Sequence, residues 1–408
     1  MSLEEQKQLE SEYVMGTFAR KPVCLVEGQG MHVADDAGRD YLDFIGGIGV
    51  CSLGHCHPAV VAAVQEQAGK LMHVSNYYYI EKRGEVAKLL SDALNYVPAG
   101  ESASAEQWKT FFANSGAEAN ECMMKLARLY ARVKGNGGTT IVTLDGSFHG
   151  RTMETLAATA QPAKQESFQP LPGGFVHVKP NDEQALRAMF DQLGSEICAF
   201  MFEPIQGESG VHPCEPEYLQ LAQELCHEVG ALMIADEVQT GVYRTGTPFA
   251  FQQMGIQPDI VSIAKGIADG FPMGACAARA QVADVFNPGD HGSTFGGSNL
   301  AIAAACATLS ELAAGAFTES VPRVGAYLKE RLAQLPAVTQ VRGRGLMVAC
   351  DIAQPLEAPA VVQSGLAQGL LLNATGPHTL RFLPPLVCSE QEIDTLMEKL
   401  GVIMQICG

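Results

Sequence analysis

Asp236 and Lys265 each close a short apolar run, and a carboxylate and an amine placed in that way can do chemistry together. The runs 232–235 and 260–264 are β-branched and aliphatic and are bounded by Gly, Pro or Asp, the pattern of buried strands. The connection between them is long enough for the chain to return in the same direction. The two strands can therefore lie parallel with both carboxyl ends at one crevice, where α/β proteins place ligands. The same two residues also suit a structural ion pair at strand ends.

One chemistry that needs such a pair is that of pyridoxal 5'-phosphate. A lysine amine condenses with the aldehyde, and a carboxylate keeps the ring nitrogen protonated so that the ring accepts electrons. Further candidates follow along the chain. A strand-like run from Trp108 leads into Ser115, Gly116, Ala117 and Glu118, where Ser followed by Glu three residues later is a capping box at the start of an amphipathic helix. Free N–H groups and the positive end of the dipole there suit a phosphate, although many strand-to-helix turns with Gly bind nothing. The run 139–144 ends at Phe148 and Arg151, an aromatic that can stack on a planar ring and a guanidinium that can grip a carboxylate. Taken singly, Phe148 is better explained as a core aromatic and Arg151 as a solvated side chain. The run 197–202 ends at a Glu-rich turn that contains Glu208. A second loop, 291–297, is rich in Gly, Ser and Thr and able to donate to an anion.

Strand and helix patterns alternate from about 108 to 278, so we expect a mostly parallel sheet flanked by helices. Before it, 12–20 reads as an irregular arm, and three strand-like pieces up to Phe44 form a small meander. After residue 300 comes an α+β segment whose last helix is capped by Ser389 and Glu392. His55-Cys56-His57 resembles metal ligands, but Pro58 begins a helix and no second ligand group follows at zinc spacing, so no metal is expected.

With 47% hydrophobic and 18% charged residues, 408 residues can bury a large core. A formal charge of -18 repels nucleic acid and anionic membranes, so neither is an expected partner. Twelve cysteines without a C-x-x-C pair, and an opening without a basic or apolar leader region, suggest reduced thiols in a cytoplasm.

As a set, LDFIGGIGVCSLGHCHP, FFANSGAEAN, SFHGRT, EPIQGESG, ADEVQTG, IVSIAKG, HGSTFGG, VRGRGLM and LRFLPPL resemble, in order and over nearly the whole chain, the class III, fold-type I pyridoxal-phosphate aminotransferases. The resemblance implies an α/β large domain, 61–299, and a small α+β domain, 300–408, joined by the N-terminal segment 1–60. It implies that Lys265 carries the cofactor and moves the proton, and that Asp236 meets the pyridine nitrogen. Phe148 and Val238 would sandwich the ring, Gln239 would reach its hydroxyl, and Glu237 would also be among the cofactor-binding residues. Gly116 and Ala117 would hold the phosphate with Ser115 nearby. Thr294 would come to the phosphate, and Ser293 towards the substrate, from the other subunit of a homodimer with shared sites.

The implied substrates are small molecules. The acetylornithine-type branch of the class is the most similar, so the δ-amino group of N2-acetyl-L-ornithine would pass to 2-oxoglutarate in a step of arginine biosynthesis. Arg151 would bind a distal carboxylate and Arg381 the α-carboxylate of glutamate, with Glu208 neutralising Arg381 when the longer donor is bound. Succinylornithine, ornithine, 4-aminobutyrate or N-succinyl-diaminopimelate are alternative donors. An aminomutase or a non-catalytic binding protein are readings of other kinds. Tyr243, where Gly is usual, Ala268-Asp269 in place of a Gly-rich pair, Ser298-Asn299-Leu300, and Phe18 in place of Tyr depart from the family pattern.

Overall fold

The computed structural model describes residues 2–97 and 105–407. The expected meander is present as β1 (Leu25–Gln29), β2 (His32–Asp35) and β3 (Asp40–Asp43), each antiparallel to the next. The main sheet then takes β4 (Trp108–Ala113), β5 (Thr140–Leu144), β6 (Phe175–Val178) and β7 (Ile197–Phe202). A two-residue hairpin, β8 (Ile205–Gln206) and β9 (His212–Pro213), precedes β10 (Leu232–Asp236), β11 (Ile260–Ile263) and β12 (Gly274–Arg279). Its order is β4-β12-β11-β10-β7-β5-β6, and only β12 runs against its neighbours. The sheet is mostly parallel and covered on both faces, which is why every residue of β7 and of β10 is buried.

The C-terminal part contributes β13 (Val338–Arg344), β14 (Met347–Ile352), β15 (Leu370–Leu371), β16 (Asn373–Ala374) and β17 (Thr379–Phe382). Four of these form the sheet β13-β14-β17-β16, while β15 pairs parallel with β3 and so ties the two ends of the chain together. The last helix, Glu390–Cys407, is capped by Ser389, whose hydroxyl accepts from the Glu392 amide at 3.3 Å. No single helix among the described residues is long and apolar enough to cross a membrane.

Two parts differ from the sequence reading. A helix, Leu3–Tyr13, precedes the arm although it has no apolar face and buries no residue. It is held locally by a Ser2–Glu5 capping box and by pairs one turn apart such as Gln6 to Glu10. Strand β12 is built from GACAAR, with no β-branched residue to announce it. Its alanines admit the helix Gly116–Val133 close against the sheet.

The departures near 243 and 269 have a backbone cause. Val242, Tyr243 and Asp269 have φ of 54°, 65° and 44°, the left-handed region in which a Cβ is strained. Asp269 recovers part of that cost by accepting from the Leu53 amide at 2.8 Å, and Tyr243 does so by packing on Phe317 with centroids 6.4 Å apart. His55 meets Asp43 at 2.8 Å, and Asp43 also accepts from the Ile45 and Gly46 amides. Chemical denaturation should find Tyr243→Gly more stable than Tyr243→Ala by about 1 kcal/mol, because only the former relieves the positive φ. Equal stability of the two variants would contradict the strain.

Candidate active site

The parallel pairing of β10 with β11 sets Asp236 beside Ser262, so Asp236 and the next turn of chain after β11 open on the same edge. A cavity of about 380 Å³ lies there. Ser115, Gly116, Ala117, Phe148, Arg151, Asp236, Val238, Gln239 and Lys265 all line it. The strand ends of β4, β5, β10 and β11 thus converge on one space.

Asp236 is 3% exposed. Its Oδ2 accepts from Asn120 Nδ2 and faces His149 Nδ1, each at 2.8 Å, and its Oδ1 accepts from the Val238 amide at 3.0 Å. A buried carboxylate is tolerable only when its oxygens are satisfied in this way. Asn120 also donates to the His149 carbonyl at 2.7 Å, which locks the two partners together. Asn120, His149 and Glu203 also line the cavity, and the sequence analysis gave them no role. His149 lay inside a motif, but no spacing pattern points from position 149 to 236. Glu203 accepts from the Phe148 amide at 2.9 Å, and burial raises its carboxyl above the ordinary range.

Lys265 has a φ of 48°, a left-handed conformation immediately past β11 that turns the chain at the cavity edge. A non-glycine residue held there costs about 1–3 kcal/mol, which the packed strand behind it sustains. Burial lowers the pKa of its ammonium, against the opposing pull of Glu208 and Asp236. That shift favours the neutral, nucleophilic amine.

The helix Gly116–Val133 begins at the cavity with Ser115 as its cap, whose hydroxyl accepts from the Glu118 amide at 3.2 Å. The reciprocal half of the expected box is displaced by one residue: the Glu118 carboxylate takes the Asn114 amide instead. A side chain at position 116 would place its Cβ 2.7 Å from Val238 Cγ1, so glycine is what lets the helix start approach that wall.

Glu208 and Arg381 lie behind Gln239. Arg381 is 2% exposed; its Nη1 donates to Glu208 Oε1 at 2.7 Å, to the Gly207 carbonyl at 3.1 Å and to Gln239 Oε1 at 3.3 Å. Burial alone would raise the Glu208 pKa, but the charge and hydrogen bond of Arg381 more than reverse this and hold it below the ordinary range.

Glu208 and Arg381 are not among the residues that line the cavity, and two further groups of the expected site do not meet it. Glu237 is fully buried and spent on Thr240 and on the Phe251 amide. It follows Asp236 where the chain alternates sides, so it faces the core, a correction to the sequence reading. Ser293 and Thr294 line a separate cavity of about 350 Å³ with Glu118 and Asn114. Asn114 borders both spaces and donates to Ser293 Oγ at 3.1 Å.

A lysine amine, a braced carboxylate and a helix N-terminus around one cavity at the carboxyl edge of a mostly parallel sheet define an enzyme that works on amines. Residues 16–404 match the model of the class-III aminotransferases, and the chain belongs to that family of pyridoxal-phosphate enzymes. It is 44% identical over 400 residues, 97% of this chain and 98% of the other, to the acetylornithine aminotransferase of Caldanaerobacter subterraneus. Among solved structures it is similar to the ornithine aminotransferase of Toxoplasma gondii, with a TM-score of 0.91 and 30% identity over 100% of this chain and 96% of that one. It also resembles the acetylornithine aminotransferase of Elizabethkingia anophelis, with a TM-score of 0.86 and 33% identity over 99% of each chain. Its substrates are accordingly a small-molecule amino donor and a keto acid.

Glu208→Ala should destabilise the protein by about 3 kcal/mol, because it leaves a buried guanidinium without its anion. The Glu208 carboxyl has a lowered folded-state pKa, so its contribution is present above the unfolded value of 4.5 and is lost as pH falls through the folded value. Denaturation of the wild type and Glu208→Gln at pH 7 and pH 3.5 should show the gap between them shrinking in acid.

Proposed function

We propose that this enzyme moves the δ-amino group of N2-acetyl-L-ornithine to 2-oxoglutarate, giving N-acetylglutamate 5-semialdehyde and glutamate, with pyridoxal 5'-phosphate as its cofactor. The observation that carries the reading is the cavity shared by Lys265 and the braced Asp236, with Arg381 already neutralised by Glu208 beside it. The donor is taken from the similar proteins that bear that activity in their names. The pathway is then arginine biosynthesis, in the cytoplasm.

The residues fit the cofactor. Asp236 is a buried acceptor at the cavity, Phe148 and Val238 both line it, and Gly116 starts the helix there without a Cβ to collide with Val238. Asp236 would hold the pyridine nitrogen protonated, Gln239 the ring hydroxyl, and the amides of Gly116 and Ala117, beside Ser115, the phosphate. Bound there, the cofactor supplies an aldehyde for amine exchange and a ring that takes up the electron pair freed when a proton leaves carbon. Lys265 would do the chain's own chemistry: its neutral amine would take the proton from the carbon bonded to the amino nitrogen and deliver it to the carbon on the other side of that nitrogen.

One site must serve two substrates in turn. Arg151 would take the distal carboxylate of either. Arg381 would take the α-carboxylate of glutamate after Glu208 swings away, and would rest on Glu208 when the uncharged methylene chain of the donor lies there. This avoids an unpaired buried charge in both halves of the reaction.

The functional unit would be a homodimer in which Ser293 and Thr294 complete the neighbour's site. Thr294 is exposed and lines the separate cavity rather than the chain's own site. Phe18, Tyr77 and Tyr79, exposed at 76%, 93% and 103%, supply apolar surface of the kind that association covers.

A donor panel with 2-oxoglutarate, following glutamate, tests the activity: N2-acetyl-L-ornithine should have the highest kcat/KM, and preference for ornithine or 4-aminobutyrate would overturn the donor. The protein should be yellow, and borohydride should fix the cofactor covalently to the wild type but not to Lys265→Ala. Mixing inactive Lys265→Ala and Thr294→Asp subunits after dissociation should restore about a quarter of wild-type activity, since half the dimers then hold one intact site. No recovery despite subunit exchange would refute shared sites.

A further inference from the structure

Arg151, which lines the cavity, shares the Phe148 ring with a second cation, Lys164. Its guanidinium carbon lies 5.5 Å from the centre of the Phe148 ring, and Lys164 Nζ lies 5.3 Å from the same centre. The lysine is positioned by its surroundings: its ammonium donates to Gln161 Oε1, and Gln161 in turn donates to the carbonyls of Gly146 and Ser147, at the base of the loop that carries Phe148. The short helix bearing it, Pro162–Gln165, is pinned by Gln165, which donates to the Thr159 carbonyl at 2.7 Å.

In a chain with 45 acidic and 27 basic residues, neither cation has a carboxylate at ion-pair distance among the described residues. Two like charges on one aromatic ring repel each other. Burial and the charge of Arg151 both lower the pKa of Lys164, and Glu208 and Glu203 offset this only in part. An anion seated between the two would remove the conflict.

We propose that Lys164 and Arg151 form a two-cation cradle for the end of the amino donor remote from the reacting amine, and that the cradle selects donors with an acylated α-nitrogen. The inference rests on the function proposed above. A free α-amino acid brings a carboxylate and an ammonium to this end, so its attraction to the cradle is largely cancelled. Acylation removes the ammonium, leaves the carboxylate for the guanidinium and adds a carbonyl oxygen that accepts from Lys164. An acyl group that ends in a second carboxylate gains most from the lysine. Lys164 is thus a specificity-determining residue, remote from the reacting atoms.

The holoenzyme and its Lys164→Met and Lys164→Arg variants test this with N2-acetyl-L-ornithine, N2-succinyl-L-ornithine and L-ornithine. For Lys164→Met, KM should rise about tenfold for the acetylated donor and more for the succinylated one, with kcat within about twofold, while KM for L-ornithine stays level or falls. Lys164→Arg, which retains the charge, should recover most of the preference. Calorimetry with N2-acetyl-L-norvaline, which lacks the reacting amine, should show Kd weakened about tenfold in Lys164→Met, independent of turnover. An unchanged Kd with an unchanged donor ratio would overturn the proposal, as would an equal loss of kcat for all three donors. If the wild type used none of these donors, the proposed function would fail, whereas the calorimetric comparison would still read the cradle.

Discussion

A buried carboxylate must be fully hydrogen-bonded or it destabilises its surroundings, and Asp236 is the carboxylate around which this fold is arranged. Three donors reach it from three places in the chain: Asn120 from the helix after β4, His149 from the loop after β5, and the amide of Val238 from its own turn. Meeting that one requirement brings those separate strand ends to one edge. It also delivers their other residues there, so Gly116 precedes Asn120 at the helix start and Phe148 and Arg151 flank His149. The site is in this sense a consequence of satisfying a single acid.

Lys265 shows the complementary constraint. Burial lowers the pKa of its amine and its backbone is strained, and both conditions are sustained by the fully buried β11 behind it. The same economy recurs at Arg381, which keeps its buried charge by spending it on Glu208, Gly207 and Gln239. Each charged group at this edge is either paired or faces the cavity. Arg151, which lines it, and Lys164, over the same Phe148 ring, have no acid partner at ion-pair distance among the described residues, and they mark where an anionic ligand end belongs.

Much of this was legible in the residue order. Short β-branched runs ending in Asp236 and Lys265 placed two strands of the sheet, and the Ser-Gly-Ala-Glu start placed a helix N-terminus, because both signals are local: burial sets the run and capping sets the start. Strand β12 was not legible, since an alanine-rich run has no intrinsic strand preference and is extended only because a helix presses it between two neighbours. The N-terminal helix was missed for the opposite reason, being held by capping and one-turn pairs without any apolar stripe to announce it.

By itself, then, the sequence determined the α/β alternation, the two reactive strand ends and, through its ordered motifs, the family. Only the tertiary structure decided that Asn120 and His149 brace Asp236, that Glu237 turns into the core, that Tyr243 and Asp269 occupy strained backbone, and that Lys164 joins Arg151 on one ring. The division has a physical reason. Strand and helix signals arise from neighbours in the chain, whereas the state of a buried charge depends on which groups, tens to more than a hundred residues away, the packing brings within hydrogen-bonding distance.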